Sequence, residues 1–184
     1  MSSPANEPDL TLLPSVPGFD FHHHTGLLPA ALYTIVELSP EAFIELQDVC
    51  ESEYAECGGD FTRGQNVAPA PRSHFVGEPL QAVVDYHVRI RQEQGSNFQL
   101  DPRWFIVAFH QDWNKHGVLL VTLDSDALLE VPNKPDAFRM RAKHSGIIFA
   151  GLQVANTAWE EAKDYYELRG PGAGWSKADE EDEE

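Results

Sequence analysis

Two apolar runs separated by a five-residue loop, "RWFIVAFH" (103–110), "QDWNK" (111–115) and "HGVLLVTLD" (116–124), constrain this chain more than any other feature. Both runs are rich in β-branched and aromatic residues and apolar almost throughout. That pattern predicts two interior strands covered on both faces, folded back on each other. If 111–115 is the hairpin loop, His110 and His116 lie directly opposite one another. Cross-strand neighbours have Cβ atoms about 4.5–5.5 Å apart, close enough for one metal ion or one hydrogen-bond network. Asp112 stands in the loop beside them as a third ligand or as an orienting carboxylate, and Trp113 can cover the mouth. The plainer reading is that these polar residues mark where the strands leave the core. A shift of one residue in register would abolish the pairing.

The rest of the chain supplies helices to cover such strands. "ALYTIVEL" (31–38) reads as a further strand. "SPEAFIELQDVCES" (39–52) follows, with Ser39 as cap, Pro40 at the first helical position and Phe43, Leu46, Gln47 and Cys50 on one face. "EPLQAVVDYHVRIRQEQG" (78–95) repeats the pattern with Leu80, Val83, Val84 and His87, and Gly95 ends it. A histidine on that apolar face is better explained as a core group bonded to backbone than as a catalyst. Residues 57–79, dense in Gly and Pro, read as a long loop.

"DAFRMRA" (136–142) alternates, so Phe138 and Met140 face inward while Arg139 and Arg141 share the other face. Two guanidiniums so placed can hold an anion, a partner, or an acidic surface of their own chain. "NTAWEEAKDYYELRGPG" reads as a last helix, with Thr157 and Glu160 as a capping box and Gly170–Pro171 as the stop. The expected fold is α+β, a small, mainly antiparallel sheet with helices packed on it. It forms one domain over 30–170, between a flexible segment 1–29 and an acidic disordered tail 171–184.

The 184 residues carry a formal charge of −17, six units of it in the tail "ADEEDEE". That field repels phosphate backbones and anionic lipid, so nucleic acid and membrane are disfavoured and a basic protein partner is favoured. No segment has the length and apolarity of a membrane span, and the start lacks a secretory pattern, which predicts a reducing, cytoplasmic setting. Cys50 and Cys57 are then free thiols.

"FHHHTG" (21–26) places His22 and His24 on one side of an extended segment, a partial metal site lacking a third ligand. Phosphate-binding, dinucleotide, zinc-protease and serine-hydrolase motifs are absent, as is C-x-x-C. No cofactor is therefore expected, zinc or a similar transition metal being the one candidate.

Residues 104–167 resemble an uncharacterised microbial domain family. Its members end in an "LLVVDL"-like strand, an "FRV"-like strand and an "NLxLANMDFEEF"-like segment. Phe138 and Arg139 match the FR pair, Leu152, Ala155 and Asn156 the L-x-x-A-N core, and Trp159, Glu160 and Glu161 the aromatic-acidic end. Thr157 and Ala158 stand where the family has Met-Asp. The resemblance implies an architecture rather than a reaction. In that architecture Leu152 and Ala155 pack the entry to the last helix, Asn156 or Thr157 caps it, and Trp159 anchors it. Arg139 and Asn156 are the matched residues with chemistry to spare.

Taken together, these features predict a non-catalytic binding module for a basic partner, with an acidic inhibitor or immunity-type protein as a special case. A metal-dependent, hydrolase-like enzyme using His110, His116 and Asp112 is the alternative.

Overall fold

Five strands set the frame: β1 (Ala30–Thr34), β2 (Val67–His74), β3 (Trp104–Ala108), β4 (Val118–Thr122) and β5 (Asp136–Met140). They form one sheet in the order β2-β1-β3-β4-β5. The helices are α1 (Pro40–Cys57), α2 (Leu80–Gln94), a short turn α3 (Trp113–His116), α4 (Ala142–Gln153), α5 (Trp159–Tyr166) and α6 (Lys177–Glu181). The structure, a computed structural model, describes residues 7–16, 27–58, 62–125, 133–170, 172 and 174–181. His22 and His24 lie outside them.

The expected α+β class is what the chain adopts, and the apolar runs after Arg103 pair antiparallel as β3 and β4. The sheet itself is mixed rather than mainly antiparallel. β1 runs parallel to both β2 and β3, while β3–β4 and β4–β5 are antiparallel. The difference comes from β2, which lies inside the expected 57–79 loop. Its sequence, Val67-Ala-Pro-Ala-Pro-Arg-Ser-His74, does not look like a strand. An edge position tolerates the prolines, since the missing N–H groups are not needed by a second neighbour.

This order also places the helices. From β1 the chain goes through α1 to β2 on one side, then through α2 to β3 on the other. Right-handed crossovers in opposite directions put α1 and α2 on opposite faces of the sheet. The core accordingly has two halves. Phe43, Leu46 and Cys50 of α1 meet Ile106, Leu120 and Phe138, together with Phe149 of α4 and Trp159 of α5. Leu80, Val83, Val84 and Ile90 of α2 meet Tyr33, Phe105, Val107, Leu119 and Val121. Each such side chain withdrawn from water contributes on the order of 2 kcal/mol before chain entropy is counted.

Ser39 caps α1 as expected, its hydroxyl accepting from the Ala42 N–H at 3.2 Å. α4 is a helix that the sequence pattern does not announce. It packs against α1 so closely that a Cβ on Gly146 would stand 2.4 Å from the Cys50 carbonyl oxygen. The capping box expected from Thr157 and Glu160 lies one residue further on. α5 starts at Trp159 with Ala158 at its cap position, and the Glu161 carboxylate accepts from the Ala158 N–H at 3.4 Å. An alanine side chain cannot accept the reciprocal bond, so only half of the box forms.

Neither end behaves as a free tail throughout. Within 7–16, the Asp9 carbonyl accepts from the Leu80 N–H at 2.8 Å, and Val16 is buried in the α2 half of the core. Within 174–181, Ser176 and Ala178 are buried and α6 packs on α5. Both cysteines are free, Cys50 buried and Cys57 exposed. Among the described residues no helix is long and apolar enough to cross a membrane.

Candidate functional site

The β3–β4 register pairs Val107 with Leu119 and Ile106 with Leu120. Continued past the strand ends, it sets His110 opposite His116. The two imidazoles do meet, stacked with ring centroids 3.6 Å apart and planes inclined by 21°. The backbone between them closes as α3. The Asp112 carboxylate caps it by accepting from the Lys115 N–H at 3.2 Å, and His110 Nδ1 accepts from the Asp112 N–H at 3.0 Å. Trp113 is buried beneath.

Stacking limits what this pair can do. A metal sits in the plane of its imidazole, about 2 Å from the nitrogen. Two planes this far apart and this nearly parallel do not meet within that reach, so one ring must turn before both can ligate one ion. Asp112 is committed to its cap, and among the described residues no group of three or more His, Cys, Asp or Glu side chains is placed to hold a metal ion. The His116 pKa is lowered from its ordinary value, first by desolvation and then by His110 alongside it.

Arg139 and Arg141 lie at the other side of β5, and both are engaged by the chain's C-terminal segment. Arg139 donates to the carbonyls of Leu168 (3.2 Å), Gly170 (2.8 Å) and Gly172 (3.1 Å). Arg141 faces Asp179, Nε to Oδ1 at 3.3 Å and Nη2 to Oδ2 at 3.4 Å. Arg141 therefore meets a carboxylate of its own chain, and Arg139 meets backbone carbonyls.

At the opposite end of the parallel strands a cleft of about 560 Å³ opens between α1, α4 and the turn after α4. Leu28, Ile147 and Val154 line it with Tyr54, Tyr166, Asn66 and Asn156. Asn156 is thus a cleft residue and not a helix cap. It follows Ala155, held at φ 53°, a left-handed conformation unusual for alanine. Every polar side chain in the lining is an amide or a hydroxyl, so the cleft offers hydrogen bonds without charge.

Beside it, His144 Nδ1 meets Glu53 Oε2 at 2.8 Å and the ring packs on Tyr166. His144 Nε2 is buried without a hydrogen-bond partner among the described residues. Sequence spacing gives no hint of this dyad, since Glu53 and His144 are brought together only by the α1–α4 packing. Buried Glu51 is another such residue. Its carboxylate accepts from the N–H groups of Gly64, Asn66 and Val67 at 2.9–3.1 Å and so fixes the entry to β2.

His87 is a satisfied core histidine, as its helical position predicts. Nε2 faces the Asp101 carbonyl at 2.9 Å and must carry the proton, leaving Nδ1 to accept from the Tyr33 hydroxyl at 2.8 Å. Burial lowers its pKa to about 4.

The outer face of α1 is different in kind. Glu41, Glu45, Asp48 and Glu56 are exposed along it, and Ile44 stands among the first three at 47% exposure. No protein-family model, curated protein or solved structure matches this chain.

Proposed function

We propose that this chain is a non-catalytic, soluble binding module of the cytoplasm that meets a basic protein partner through the outward face of α1. The observation that carries the reading is the apolar Ile44 set among Glu41, Glu45 and Asp48. Among the described residues only Asp48 of these carboxylates has a cationic partner, Arg63 at 2.5 Å. An apolar centre with a charged rim is how protein interfaces are commonly built. The carboxylates supply steering and exclude acidic competitors. An inhibitor or immunity-type protein would use such a face in the same way. No cofactor is required, and a field of −17 disfavours nucleic acid and anionic membrane. We also propose membership of the uncharacterised family for residues 104–167. Its support is that Phe138, Leu152 and Trp159 are all buried.

Capture experiments with the full chain test the α1 reading. A basic protein retained by the wild type and lost with both Glu45→Lys and Ile44→Asp supports it. Equal retention by all three chains sinks it.

The convergence of His110 and His116 favours one second reading, a metal-dependent hydrolase with Asp112 as ligand or orienter. It requires one imidazole to leave the stack and Asp112 to leave its cap. Elemental analysis after dialysis against a chelator would show about one zinc or similar ion per chain, absent from His110→Ala. A metal-free protein ends that reading.

A further inference from the structure

We propose that Arg139 and Arg141 form a binding site for a carboxylate-rich peptide segment, filled in cis by the chain's own residues 174–181. The site is separate from the α1 face and does not depend on it. β5, an edge strand, carries Arg139, the extended residue that follows it is Arg141, and the Leu168 N–H bonds to the Arg139 carbonyl at 2.7 Å as the chain returns along that edge.

Arg141 meets Asp179 side-on, two nitrogens to two oxygens, which is the geometry by which a guanidinium recognises a carboxylate. Its Nη2 also donates to the Gly174 carbonyl at 3.3 Å. Arg139 is held by carbonyls alone, so among the described residues no carboxylate neutralises it. Two adjacent cations, one of them without a counter-charge among the described residues, stand out in a chain of −17.

The occupant is tethered beside the arginines by the Arg169–Trp175 backbone pair and by Lys177 to Asp164, and it ends in one short helix. Gly170, Gly172 and Gly174 have φ of 87°, 68° and 63°, conformations that favour glycine and let the chain curl around Arg139. Beyond them α6 is five residues long, and its contacts with Arg141 lie at the long end of hydrogen-bond range. Ser176 and Asp179 hold the segment's own shape, the Ser176 N–H donating to Asp179 Oδ2 at 2.8 Å. Such a segment opens locally at far lower cost than the sheet. Its tether gives it an effective concentration on the order of millimolar. A competing segment therefore has to present its carboxylates to both guanidiniums.

The test uses full-length chains and a fluorescent peptide copying residues 174–184, with anisotropy as the readout. Asp179→Asn removes the cis carboxylate found among the described residues and should bind the peptide about tenfold more tightly than wild type. Adding Arg141→Gln to that variant should return binding to the wild-type level or below. Hydrogen exchange on the same samples should show faster exchange of 175–181 in Asp179→Asn, with the sheet unchanged. Equal peptide binding by wild type and Asp179→Asn overturns the proposal, as does unchanged exchange in 175–181. Should Arg141→Gln fail to fold, the Asp179→Asn comparison still decides.

Discussion

Stability should fall steeply with acid because of one buried histidine. His87 is fully enclosed by Tyr33, Phe98 and Phe105, with both ring nitrogens already bonded. Protonating it would put a second N–H against the Tyr33 hydroxyl, inside an apolar cluster. Unfolded, the group titrates near 6.5, and folded, at about 4. The folded pKa is the lower one, so between these values the unfolded chain binds the extra proton. The contribution is then complete above about pH 6.5 and is lost as pH falls towards 4. Its size is about 3 kcal/mol, a large part of the stability of an ordinary domain. Urea unfolding followed by circular dichroism at about pH 7 and about pH 4 measures it, with His87→Gln as the comparison. Many carboxylates also titrate in this range, but they do so in both chains. Wild type should therefore lose about 3 kcal/mol more than the variant between the two conditions. The same loss in both chains would refute the reasoning, whatever the variant's absolute stability.

Other perturbations follow from contacts of the same kind. Gly146→Ala drives a methyl group into the Cys50 carbonyl and should cost about 2–3 kcal/mol in urea unfolding, by forcing α1 and α4 apart. Glu51→Gln removes the charge from the oxygen that accepts from Gly64, Asn66 and Val67 and turns an N–H₂ towards the Gly64 N–H. It should cost about 2 kcal/mol and speed hydrogen exchange at Gly64, Asn66 and Val67. Asp112→Ala removes the cap of α3 and should cost about 1 kcal/mol, read as a lower urea midpoint with the slope unchanged.

Much of the frame can be read directly from the residues. Helix α1 announces itself by its Ser39 cap and α2 by its Gly95 stop, each with an apolar period, and the buried set Phe43, Leu46, Gln47 and Cys50 is the expected one. The hairpin register is legible because two apolar runs flank a five-residue loop, and it brings His110 to His116. What chain-local patterns cannot show is how the histidine rings orient, and stacking changes their chemistry. β2 is hidden by Pro69 and Pro71, which only an edge position excuses. α4 is hidden because Ser145, Gly146 and two isoleucines weaken its intrinsic helix preference, and contact with α1 outweighs that preference. The Arg141–Asp179 pair, the Glu53–His144 dyad and the cleft join residues 38, 91 and up to 139 positions apart, so no spacing rule reaches them. The start of α5 is missed by one residue because Thr157 looks like a cap while Glu161, not Glu160, reaches back.

Carbodiimide footprinting of the surface carboxylates, with and without the captured basic partner, tests the central claim most directly. Glu41, Glu45 and Glu56 should be labelled several-fold less in the complex, while Glu78 and Glu93, away from α1, label as before. Unchanged labelling along α1, or protection centred on another face, would contradict the assignment of that helix as the docking surface.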